Sequence, residues 1–85
     1  MNLIDSLEKH IKNLKNPLRD EDEILIVLKK RLTKKELKAF MLIEDKNTLE
    51  DVSLQLHCDD ERTEEIYATV IKKLNQEKLK QELMQ

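Results

Sequence analysis

Glycine is absent from these 85 residues, and proline occurs once, at Pro17. Without glycine there is little material for tight β-turns, and no glycine-rich loop can cradle a phosphate. A leucine-, lysine- and glutamate-rich chain is then expected to be all helical. Cysteine also occurs once, at Cys58, which excludes an intrachain disulfide and a CxxC metal motif. A lone thiol fits a reducing, cytoplasmic setting. Long apolar runs are missing too: Ile24 to Leu28 is far too short to span a bilayer, so no membrane is expected. Asp5 and Glu8 interrupt the first turns, so a signal peptide is not expected there. No charge of one sign dominates. The formal net charge is −2, and nothing global attracts nucleic acid or an anionic surface.

What is present is apolar periodicity. Leu3, Ile4, Leu7, Ile11 and Leu14 fall on one stripe, which predicts an amphipathic helix over 3–15. Asn16-Pro17 ends it, because the residue before proline is pushed out of the helical region. Asp20 with Glu23 reads as a capping box for a second helix, Ile24 to Leu32. Its run Ile24, Leu25, Ile26, Val27 and Leu28 is apolar most of the way round, which predicts burial on more than one side or a homodimer contact. Thr33 with Glu36 caps a third helix that turns Leu37, Phe40, Met41 and Ile43 inward. Thr48 with Asp51 caps a short fourth helix burying Leu49, Val52 and Leu56. After a tight turn at His57-Cys58, Asp59 caps a fifth helix with Ile66, Val70, Ile71 and Leu74 inward. Each such cap contributes about 1 kcal/mol. Residues 76–85 extend the fifth helix into a polar end expected to fray. The fold expectation is one all-α, five-helix domain over 1–85, with its core in 20–75.

Few residues invite a chemical role. Cys58 is read as a small buried hydrophobe and His10 as a boundary histidine. His57, Cys58 and Asp59 carry metal-ligating atoms, but adjacent residues rarely converge on one ion, so no metal is expected. The carboxylates at Asp20 to Glu23 suit the N-terminal dipole of the helix that follows them. No nucleophile has a base partner, so neither an enzyme nor a cofactor is expected. One basic cluster stands out: Lys29, Lys30, Arg31, Lys34, Lys35 and Lys38. It reads as a solvated face, or as a contact for a DNA backbone or an acidic protein surface. Its separation from the acidic fifth helix gives a charge dipole suited to head-to-tail self-association.

The order of several short matches carries a resemblance. Val27-Leu28 and Leu32-Thr33 with Glu36 come first, then Thr48-Leu49-Glu50-Asp51-Val52. Glu61-Arg62, Ile66, Ala68 and Lys73-Leu74 follow along the fifth helix. Together, over residues 24–75, they resemble region 4 of bacterial sigma factors, which reads the upstream promoter element. The resemblance implies a helix-turn-helix, with the fourth and fifth helices as its pair and the fifth as the recognition helix. The family's usual turn glycine is replaced by His57, a residue that tolerates the left-handed conformation better than most. Where family members place Arg, Lys or Gln on the groove face, this chain has Asp60, Glu64 and Glu65, leaving only Glu61 and Arg62 of the usual polar set.

Two mechanisms follow from the resemblance. One is DNA reading through Arg62 and its neighbours, with backbone contacts from Lys46, Lys72 or Lys73. The other is protein contact, in which Asp60, Glu61, Glu64 and Glu65 meet a basic surface such as a polymerase element or another regulator. Protein contact is the favoured mechanism, because five acids against one base over residues 59–65 would face the phosphate field uncompensated. The alternative of a different class is a helical adaptor or homodimer that uses the Ile24–Leu28 surface and the amphipathic first helix and binds no nucleic acid.

Overall fold

A computed structural model describes residues 2–85. Among them are six helices and no strand: α1 Leu3–His10, α2 Glu21–Arg31, α3 Lys34–Glu44, α4 Leu49–Leu56, α5 Asp60–Leu74 and α6 Glu77–Leu83. The all-helical expectation holds, but the count is six rather than five.

The extra helix arises at Asn75. The α5 ladder stops there, and Gln76 takes an extended conformation that opens α6. Far from fraying, the C-terminal segment buries Leu79, Leu83 and Met84. Its end lies against the extended stretch after α1. Arg19 N–H donates to the Leu83 carbonyl at 2.8 Å, and Gln85 N–H donates to the Pro17 carbonyl at 2.8 Å. Leu18 and Met84 form an isolated antiparallel bridge. Arg31 fixes the other side of α6, forking onto the Glu82 carboxylate through Nη2 and Nε, the latter at 2.9 Å. That fork holds Glu82 below its ordinary range and pushes Arg31 up.

The first helix is shorter than its stripe. It ends at His10 because Asn75 supplies an outside cap. Asn75 Nδ2 donates to the His10 carbonyl at 3.1 Å and to Ile71 O at 3.0 Å, while its Oδ1 accepts from Lys12 N–H at 2.8 Å. Asn13 then turns left-handed, with φ 58°, and Lys80 Nζ bonds the Lys12 carbonyl at 3.0 Å. The apolar stripe nevertheless continues inward past the helix end: Ile11 is buried and Leu14 half-buried against the core.

Two apolar clusters result. The larger joins α1, α2 and α6 to one end of α3 and α5, around Leu3, Leu7, Ile24, Leu28, Phe40, Val70, Leu74 and Leu83. The smaller, Ala39, Val52, Leu56 and Ile66, joins α3, α4 and the first half of α5. Within the Ile24–Leu28 run, Leu25 and Val27 are half-buried against the larger cluster. Ile24 and Leu28, four residues apart, face the core, whereas Ile26 is 68% exposed.

Caps explain the helix starts. Thr33 and Glu36 form the reciprocal box, Thr48 Oγ1 accepts from Asp51 N–H, and Asp59 accepts from Arg62 N–H at 2.7 Å. The box expected at Asp20 does not form. Asp20 is the N-cap without a side-chain bond, and Glu23 pairs instead with Arg19 at 3.1 Å. The acids at Glu21, Asp22 and Glu23 and the bases at Lys29, Lys30 and Arg31 still match the two ends of the α2 dipole.

Candidate functional site

The α4–α5 pair is built around one tight turn. His57 adopts φ 58° and ψ 41°, a left-handed residue where a glycine would carry no Cβ penalty. Cys58 N–H returns to the Ser53 carbonyl at 3.0 Å, and the Cys58 thiol donates to the Leu56 carbonyl at 3.4 Å. Cys58 is half-buried beside the smaller core cluster. Across the turn, Ser53 Oγ donates to Thr63 Oγ1 at 2.8 Å, and Thr63 Oγ1 donates to the Asp59 carbonyl at 3.0 Å. Both hydroxyls are buried, and this chain satisfies them. It sets how α5 leaves the turn, and therefore which of its side chains face outward.

Those outward residues are the five singled out from sequence. Asp60, Glu61, Arg62, Glu64 and Glu65 are all exposed. Arg62, the only base among them, is held by Glu65 at 3.2 Å. Among the described residues no ion pair forms at Asp60, Glu61 or Glu64. Asp59 to Glu61 suit the positive N-terminal end of α5, but that field fades within the first turn. It does not reach Glu64 or Glu65; Glu65 has its pair with Arg62, whereas Glu64 has no ion-pair partner among the described residues.

The basic candidates separate into two kinds. Arg31 is occupied by Glu82, and Lys73 Nζ grips both oxygens of Glu36 at 2.8 and 2.9 Å. Burial pushes the Glu36 carboxyl up, but bonds from Lys73 and Thr33 outweigh it and hold the group below its ordinary value. These two bases are structural ties between helices. Lys29, Lys30, Lys34, Lys35, Lys38 and Lys72 are exposed, and none forms an ion pair among the described residues. Lys46 is exposed in the α3–α4 loop with φ 67°.

A polar joint escaped the sequence reading. His10, Glu44 and Tyr67 meet from α1, α3 and α5. Tyr67 Oη donates to Glu44 Oε2 at 2.8 Å, while His10 Nε2 lies 3.0 Å from Glu44 Oε1 and 3.2 Å from Tyr67 Oη. Phe40 stacks on Tyr67 with centroids 6.2 Å apart. Burial and the bond to Glu44 push the Tyr67 hydroxyl well above its ordinary value. Burial also raises Glu44, but Tyr67, His10 and Lys9 together bring it below the usual range. The three groups bond one another, so the joint ties α1, α3 and α5 together. Among the described residues no His, Cys, Asp and Glu grouping could hold a metal ion. No helix there is long and apolar enough to cross a membrane.

Comparison with known proteins finds no matching family model, no matching curated protein and no matching solved structure.

Proposed function

We propose that this chain is a transcription-associated helix-turn-helix module, similar to sigma factor region 4, that acts by protein contact. α4 and α5 are its helix pair, and Asp60, Glu61, Glu64 and Glu65 are the surface offered to a basic partner. RNA polymerase and a second regulator are the partner classes that the resemblance suggests.

The observation that carries the preference for protein is the state of Arg62. The one base on the outward face of the first α5 turns is tied to Glu65, while Asp60, Glu61 and Glu64 stand without counterions. A carboxylate about 7 Å from a phosphate costs roughly 0.6 kcal/mol even in bulk water, and more where water is excluded. Residues 59–65 carry a net charge of −4, from five acids and Arg62, so the repulsion accumulates to a few kcal/mol before any favourable contact forms. A basic protein surface reverses the sign of each of these interactions.

The test is titration of purified core RNA polymerase onto the labelled chain, with Glu61→Lys/Glu64→Lys as the comparison. This reading expects binding that weakens with salt and is lost in the double variant. Binding of equal strength by both chains would remove the acidic helix from the contact.

A further inference from the structure

Two surface features with opposite chemistry stand on different helices. The first is a groove of about 370 Å3 at the junction of α2 and α3. Buried Leu32 and half-buried Leu37 make its apolar floor. Lys29, Lys34 and Lys38 rim it, all exposed, and no acidic side chain lines it. Glu36, the nearest acid in sequence, is turned away into its pair with Lys73. The groove therefore suits an apolar side chain that brings negative charge with it.

The second feature is such a side chain. Leu54 on α4 is 69% exposed, an unusual position for a leucine in so small a domain. Glu50 and Asp51 precede it by four and three residues, so both carboxylates share its face of the helix. Both are exposed. The other exposed large hydrophobe, Ile26, differs. Arg19, Glu23, Lys30 and Glu82 surround it with mixed charge, which selects no partner of one sign.

We propose that the two features are the halves of one contact between copies of this chain. Leu54 of one copy seats on the Leu32–Leu37 floor of another, and Glu50 and Asp51 meet Lys29, Lys34 and Lys38. Apolar burial supplies the attraction, and the charges fix which surface meets which. Because knob and groove are different surfaces, the contact is heterologous and repeats head to tail unless its rotation closes a ring. The area is small, which places the association in the weak, transient class. The contact itself does not depend on the surface proposed for the basic partner.

Sedimentation velocity of the full chain, from about 10 μM to about 1 mM in low salt, tests it, a range that reaches contacts with a Kd of about 1 mM. Three variants accompany the wild type: Lys29→Glu/Lys34→Glu/Lys38→Glu, Glu50→Lys/Asp51→Lys, and Leu54→Ser. Circular dichroism verifies that each is folded, and the exposed Leu54→Ser site leaves the core untouched. The expected result is a mass that rises with concentration in the wild type. Each charge-reversed variant alone stays monomeric, and mixing the two restores association. Leu54→Ser weakens association at least about tenfold, the factor that corresponds to 1.4 kcal/mol. A wild type that stays monomeric at about 1 mM overturns the proposal. So does association that persists in all three variants. An acidic amphipathic peptide that fills the groove of a chain unable to self-associate also overturns it, and assigns the groove to a foreign partner.

Discussion

Removing a single oxygen, in Tyr67→Phe, probes the joint that holds α1 and α3 to α5. The hydroxyl donates to Glu44 Oε2 at 2.8 Å, and the Glu44 side chain is only 6% exposed. A hydrogen bond to a charged acceptor contributes about 1.5–3 kcal/mol. Phenylalanine keeps the ring against Phe40, so no cavity cost is added. Glu44 retains His10, which limits the loss to about 2 kcal/mol, the lower half of that range. In a domain of this size about 1 kcal/mol moves Tm by roughly 4–8 °C. Thermal unfolding followed by circular dichroism should therefore show a fall of about 8–16 °C. A second signature belongs to the same bond. Tyr67 is one of the groups that keep Glu44 below its ordinary value against the effect of burial. Without the hydroxyl the carboxyl titrates higher, and acid unfolding of the variant begins at a higher pH. A Tm within about 3 °C of wild type, less than 1 kcal/mol on that scale, together with an unchanged acid limb would refute the reasoning.

Three other perturbations have calculable directions. Asn75→Ala removes the outside cap of α1 and leaves the His10 and Ile71 carbonyls and Lys12 N–H short of partners, so chemical denaturation should show a loss of about 2–3 kcal/mol. His57→Gly should be neutral or stabilising by up to about 1 kcal/mol in the same assay, whereas His57→Val should destabilise by more than that, because its branched Cβ resists the left-handed conformation. Stability should also depend on pH at both extremes. Glu36, Glu44 and Glu82 release their protons more readily in the folded state, so their stabilisation is present above the ordinary value of 4.5 and is lost as pH falls below it. Tyr67 holds its proton more tightly when folded, so its contribution is present below 10.0 and is lost as pH climbs past that value. Denaturant midpoints measured across pH would show these two flanks.

The helix starts were legible because capping is local. Thr33, Thr48 and Asp59 each bond a backbone N–H three residues on, and that spacing is written in the chain. The turn at His57 and the inward faces of α4 and α5 follow from similarly short-range patterns. What escaped depends on residues far apart in sequence. α1 stops at His10 because of Asn75, 65 positions later, and the last turn is ordered because it lies against Pro17 to Arg19. Asp20 with Glu23 looked like a cap, but Arg19 competes for Glu23, an interaction that the capping pattern omits. The outward acids of α5 were legible as a face, since their spacing places them opposite Ile66 and Val70. The pairing of Arg62 to Glu65 was not, because a rotamer decides it. Leu54 falls outside the inward set Leu49, Val52 and Leu56 read from the sequence, and the structure leaves it 69% exposed.

We propose that the acidic first turns of α5 serve contact with a basic protein rather than the reading of DNA. Fluorescence anisotropy of labelled mixed-sequence duplex DNA, titrated with wild type and Arg62→Ala near ~20 mM salt, tests it most directly, because phosphate attraction is strongest there. The account predicts no binding by either protein. Salt-sensitive binding by the wild type that weakens in Arg62→Ala would contradict it, and would make the acids a specificity device on a reading helix.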